Sequence, residues 1–215
     1  MKAALQKTSV KIFHLFLLIS GMGVLIWSAI KPYDYLTWVE EVIPAVVGGV
    51  LFTIFYNRFR FSSVSYTLSW FFAIILIVGG HYTYARVPVG YWFQNAFEMS
   101  RNHYDRFGHF FQGVIPAMLG RELLLRTSPL RRGKWLFFIC TCMSLAVSAM
   151  YELIEWFAAV TSEAEDFVGS QGDIWDAQSD MFLALLGAMI TQIVFSRLQD
   201  RQMDRITAGS LHKQA

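Results

Sequence analysis

Cysteine is scarce in this chain: Cys140 and Cys142 are the only two, and both fall in one apolar run. On a helix they would point about 200° apart, so they do not face each other. That excludes a disulfide framework and a cysteine-based zinc site. Charge is scarce too, at 16% of 215 residues against 55% hydrophobic. A water-exposed domain of this length carries more charge and fewer long apolar runs. No internal repeat is evident, which weighs against carriers built from duplicated halves. No Ala-x-Ala cleavage site follows the first apolar run, so that run, with Lys2, Lys7 and Lys11 before it, reads as a retained anchor.

Aromatic residues are plentiful. Nineteen Phe, nine Tyr and seven Trp suit lipid-facing and interfacial positions. Six windows read as spanning helices: Ile12–Ile30, Trp38–Tyr56, Val64–Tyr84, Phe107–Leu125, Trp135–Phe157 and Trp175–Phe195. Each is long enough for a hydrocarbon core of about 30 Å. Glu40, Glu41 and Pro44 crowd the start of the second. The expected fold class is all-α, a polytopic membrane helix bundle of about six transmembrane helices. One domain is expected over residues 1–199, followed by a short polar tail, 200–215, expected to be disordered and solvated.

Fourteen of the eighteen basic residues fall at the N-terminus, in the second-to-third and fourth-to-fifth loops, and in the tail. The positive-inside rule then places both termini in the cytoplasm. Thirteen of the sixteen acidic residues fall on the opposite side. Basic residues of this kind orient the protein and touch anionic headgroups; they do not form a nucleic-acid surface. Gly48-Gly49, Gly79-Gly80, Gly187 and Ala184-x-x-x-Ala188 are small-residue patches that let helices approach closely.

Three polar motifs fall at the acidic end. The first is His103-Tyr104-Asp105-Arg106-Phe107-Gly108-His109, with Gln112 beyond it. On a helix Asp105 and His109 share a face. The bland explanation is an aspartate favoured by the helix N-terminus and an interfacial histidine. The second is Tyr151-Glu152-Leu153-Ile154-Glu155-Trp156, whose carboxylates project from one face near a helix end. Side by side they repel unless a cation or proton sits between them, and Arg86, Arg101 or Arg106 could neutralise them. The third runs from Gly172 to Asp180 and puts Asp173, Asp176 and Asp180 on one stripe. Capping and the helix dipole account for Asp173 and Asp176 but not for Asp180, more than a turn inside the span.

An acidic stripe facing an acidic pair needs positive charge between them: arginine, protonated histidine or a metal ion. Histidine and carboxylate ligands from several helices are how di-iron and di-manganese sites are built in bundles, and such donors suit Zn²⁺, Mn²⁺ or Mg²⁺. Candidate ligands of a divalent metal are His103, Asp105, His109, Glu152, Glu155, Asp176 and Asp180. Candidate catalytic groups are Glu152, Glu155, Asp180 and His109. His81 is a further possible ligand, while His14 and His212 receive no role.

The motifs His103-x-Asp105-Arg106-x-x-His109, Tyr151-Glu152-x-x-Glu155-Trp156 and Gly172-Asp173-x-Trp175-Asp176-x-x-x-Asp180-Met181 together resemble the YjdF family of bacterial inner-membrane proteins. The likeness extends over nearly the whole chain. It implies topology and an inner-membrane location, and no reaction. The order Asp105-Arg106-x-x-His109, Glu152-x-x-Glu155, then Asp180 with Gly187 more loosely resembles VanZ-like membrane proteins. Arg106, Glu155 and Ala184 depart from the Lys, Gln and Asn usual there.

Three functions follow as expectations. The first is a membrane-embedded enzyme acting on a lipid or cell-envelope intermediate at the outer leaflet, with the lipid bilayer as its standing partner. The second is a non-catalytic envelope or assembly factor whose polar cluster locks helices together. The third, a transporter, fits less well, because the charges lie toward one face rather than the midplane.

Overall fold

The computed structural model describes residues 2–161 and 171–211, and the described residues are helical with no strand. In chain order they form α1 (Lys2–Ser28), α2 (Tyr35–Phe55), α3 (Ser63–Tyr82), a 3-10 turn (Tyr84–Arg86), α4 (Pro88–Ala96), α5 (Tyr104–Thr127), α6 (Lys134–Thr161) and α7 (Asp176–Leu211). Local chemistry sets several starts. Asp34 accepts the Thr37 N–H at 2.8 Å and begins α2. The Asn102 side chain accepts the Tyr104 N–H at 3.0 Å, just where α5 begins. Thr83, at φ 59°, turns the chain sharply after α3.

Among the described residues, five helices are long and apolar enough to cross a membrane: Thr8–Ser28, Tyr35–Phe55, Ser63–Tyr82, Lys134–Ala158 and Asp176–Ala208. They coincide with five of the six sequence windows. The sixth window falls in α5, whose 24 residues reach about 36 Å, long enough to cross but too polar to qualify by composition. Its polar residues explain this: Asp105, His109, Gln112, Arg121 and Glu122 are all buried against α3, α6 and α7. The outer surfaces of α1, α2, α6 and α7 expose Ile, Leu, Val, Phe and Trp, as a lipid-facing surface should.

Small residues set the closest helix pair. A Cβ on Gly113 would meet the Ala184 carbonyl oxygen at 1.8 Å, and one on Gly187 would meet the Phe110 oxygen at 2.0 Å. Ala184 and Ala188 are fully buried at this seam. Backbone contact between α5 and α7 is therefore possible only because these positions carry little or no side chain. Gly79 and Gly80 act likewise, against the Tyr84 ring and against Glu41 and Val42 of α2. Gly48 and Gly49 differ from the expectation: no atom within 4 Å would meet a Cβ there, so this pair makes no close approach.

The expected disordered tail is another correction. Helix α7 continues through Asp200 as far as Leu211. Partners hold this stretch in place: Met203 is buried, the Gln202 carbonyl accepts the Val64 N–H at 2.9 Å, and Asp204 pairs with Arg132 at 2.7 Å. Residues 212–215, including His212, lie outside the described part.

The basic end of the bundle holds a saturated polar knot. Glu122 is fully buried and accepts from the Ser62 N–H at 2.9 Å, the Ser62 hydroxyl at 2.8 Å, Ser65 at 3.1 Å and Arg126 at 3.0 Å. Gln199 donates to the Met118 carbonyl at 2.8 Å and accepts from Arg121 at 2.9 Å. Such a network ties α3, α5 and α7 together, with every strong acceptor occupied. His14 has an equally structural place, bonded to Tyr56 at 2.8 Å and Ser63 at 2.9 Å.

Candidate functional site: a buried histidine–carboxylate cluster

Helical periodicity brings Asp105, His109 and Gln112 to the inner face of α5. His109 is at the centre. Its Nε2 lies 3.5 Å from Asp105 Oδ1, and its Nδ1 lies 3.5 Å from Glu152 Oε1 of α6 and 2.9 Å from Gln112 Oε1. An amide carbonyl only accepts, so with Gln112 in this orientation Nδ1 carries a ring hydrogen, and Nε2 is the nitrogen that faces Asp105.

Helices α6 and α7 complete the cluster. One ligand atom each from Asp105, His109 and Asp180 lie within 4.8 Å of one another, and the same holds for His109, Glu152 and Glu155. The two groups share the imidazole, one on each side. Asp105, His109, Glu155 and Asp180 are buried and Glu152 is half-buried. Two oxygens stand out: Asp180 Oδ1 and Glu152 Oε1 are buried with no hydrogen-bond partner among the described residues. This is the reverse of the saturated knot around Glu122. A buried carboxylate oxygen without a donor is costly, so the cluster is short of positive charge.

The arginines do not make up that shortage. Arg101 Nη1 bonds Asp176 Oδ1 at 2.6 Å and lies 3.6 Å from Asp173. Arg106 pairs with Asp173, with Asp176 at 3.9 Å and His103 Nδ1 at 3.3 Å. Arg86 sits over the Tyr33 ring at 4.0 Å. The first two form a charged rim over the cluster. At that rim the Trp175 backbone N–H, then Arg106 and Arg101, hold the Asp173 carboxyl below its ordinary value. Burial, then the two arginines, hold His103 below the usual histidine value, so it is neutral near pH 7.

Of the seven expected ligands, the structure brings together Asp105, His109, Glu152, Glu155 and Asp180. It does not bring His103 or Asp176 into either group: both belong to the arginine rim, which engages them first. His81 is elsewhere, its Nδ1 2.9 Å from the Ser28 carbonyl and its ring against Trp27, where it ties the end of α3 to the end of α1.

Sequence reasoning missed Glu41 of α2. It is 3% exposed, bonds Tyr84, and has Asp105 and His109 among its electrostatic neighbours. Tyr151, beside Glu152, shares the same neighbourhood. The signal for Glu41 was available: an acidic residue inside an apolar span is as costly there as Asp180 is in α7.

The helical bundle, its apolar exterior and its buried polar centre define a polytopic membrane protein. The chain belongs to the family described as "Predicted membrane protein (DUF2238)", which it matches over residues 13–201. It is 49% identical over 184 residues to "Inner membrane protein YjdF" of Escherichia coli (strain K12), covering 85% of this chain and 88% of that relative. No solved structure matches it significantly. The VanZ-like likeness rests on motif order alone.

Proposed function

We propose that this protein is a metal-dependent membrane enzyme that acts on a lipid or cell-envelope intermediate from within the outer leaflet. The observation that carries this reading is Asp180 Oδ1, buried beside Asp105 and His109 with no hydrogen-bond partner among the described residues. Like charges packed this closely repel, and a divalent cation between them removes both the repulsion and the unmet acceptor. The donor set, one imidazole nitrogen with carboxylate oxygens, suits Zn²⁺, Mn²⁺, Fe²⁺ or Mg²⁺.

In this reading Asp105, His109 Nε2 and Asp180 hold the ion. Gln112 and Glu152, on the Nδ1 side, fix the ring and its tautomer, a division of labour usual around metal-bound histidine. The ion would supply Lewis acidity toward a carbonyl or phosphoryl oxygen and a nucleophilic water near neutral pH. Glu155, with Glu152, is placed to accept and return a proton. The cluster lies toward one end of α5, α6 and α7, so an amphiphilic substrate could keep its tail in lipid while its head reaches the site. The charge distribution supports a reading in which that end lies outside and both termini lie in the cytoplasm, with α5 as a sixth crossing.

Elemental analysis of detergent-purified protein tests the reading. Wild type is expected to retain a stoichiometric divalent metal, and Glu152→Ala and Asp180→Ala to carry less while remaining folded. Metal-free wild type, with alanine variants that lose only thermal stability, would instead assign the cluster to locking helices together.

A further inference from the structure

Helix α4 lies outside the bundle that carries the cluster, and its surroundings are unlike those of any other element. Its sequence, Pro-Val-Gly-Tyr-Trp-Phe-Gln-Asn-Ala, has no charged side chain. Val89, Trp92, Phe93 and Phe97 follow helical spacing and share one face. All four are exposed, Trp92 at 63% and Phe97 at 64%. A nine-residue helix is marginal in water, and one that presents Trp and Phe to water would be more so. Among the described residues, protein holds its opposite side. Gly90 packs so tightly on Asn102 that a Cβ there would lie 1.8 Å from the Asn102 side-chain oxygen. The Asn102 amide donates to the Val87 carbonyl at 3.1 Å.

We propose that α4 is an interfacial helix that lies in the membrane leaflet nearest the carboxylate cluster, with Val89, Trp92, Phe93 and Phe97 sunk among the lipids. Three observations favour lipid over a second protein. The helix joins the ends of α3 and α5, so it sits where these helices reach the membrane surface. Its composition, Tyr91, Trp92, Phe93 and Phe97 together, is that of the interfacial aromatic belt. The nearest charges, Arg86 and Glu98, flank the helix at its two ends, where headgroups would meet them. The contact has a structural consequence. Asn102 is three residues before Asp105, so a helix floating at the headgroup level sets the depth at which α5, and with it the cluster, begins.

Spin labelling in lipid tests this without reference to any activity. In a Cys140→Ala/Cys142→Ala background, nitroxides are attached at Trp92→Cys and, separately, Phe97→Cys. A control label is attached at Arg131→Cys in an exposed loop. The proteins are reconstituted into phosphatidylethanolamine–phosphatidylglycerol vesicles, and collisions with oxygen and with water-soluble nickel complex are compared. The ratio of oxygen to nickel collisions is expected to be several-fold higher at 92 and 97 than at 131. A ratio equal to that of the control would put α4 in water, and low collision with both reagents would put it against a second protein. Either result overturns the proposal. Testing two positions prevents one poorly folded variant from deciding the outcome.

Discussion

Gly113 of α5 touches the backbone carbonyl of Ala184 in α7, and a Cβ at Gly113 would sit 1.8 Å from that oxygen. The contact lies one turn beyond His109 on α5 and one turn beyond Asp180 on α7, so it fixes the distance between the two helices that carry them. Gly113→Ala should force the pair apart and cost about 1–3 kcal/mol, as overpacking of a filled core does. Thermal unfolding in detergent should show a lower Tm, and metal content should fall with it. An unchanged Tm would mean that the seam yields more easily than its packing indicates.

Glu122 offers the contrasting case at the other end of the bundle. Its carboxylate is fully buried and every strong donor around it is engaged, from Ser62, Ser65 and Arg126. Glu122→Ala leaves the buried Ser62 N–H without its acceptor and takes the carboxylate from Arg126, which keeps the Arg60 carbonyl at 2.7 Å, and should cost about 3–5 kcal/mol. Metal content per folded molecule should stay at the wild-type level. If it falls as it does in Asp180→Ala, the two clusters are not separate in role.

The fold was legible because burial in lipid requires long apolar runs, and five of those runs are plain. Helix α5 was legible only by combining Phe107–Leu125 with the polar motif before it, since its inward-facing Asp105, His109, Arg121 and Glu122 dilute its hydropathy. The cluster was legible in Asp105, His109, Glu152, Glu155 and Asp180, because carboxylates inside spans are costly wherever they occur. His103 and Asp176 carried the same signal, but which partner each meets depends on where Arg101 and Arg106 reach, and spacing along a chain does not encode that. Glu41 was hidden by its position near the start of α2, where a carboxylate reads as interfacial; it is buried because Gly80 lets α3 close over it. Helix α4 is too short to register as a span, and Asp200–Leu211 was polar enough to read as disordered although it has partners along α3 and α5.

The proposed orientation makes a separate prediction. With both termini in the cytoplasm, a C-terminal fluorescent protein that matures only there should glow in cells. A maleimide that cannot cross the inner membrane should label Gln171→Cys, which is exposed, and not Arg131→Cys. Labelling of Arg131→Cys alone would invert the topology and place the cluster at the cytoplasmic leaflet.

In the proposed site His109 offers Nε2, with Asp105 and Asp180, to a divalent ion. Pulsed electron paramagnetic resonance of protein loaded with Mn²⁺ reads this directly, because a ligated imidazole nitrogen modulates the echo decay. One such nitrogen is expected in wild type and in Glu122→Gln, and none in His109→Gln. Bound Mn²⁺ with no nitrogen modulation, or a modulation that survives in His109→Gln, would contradict the account.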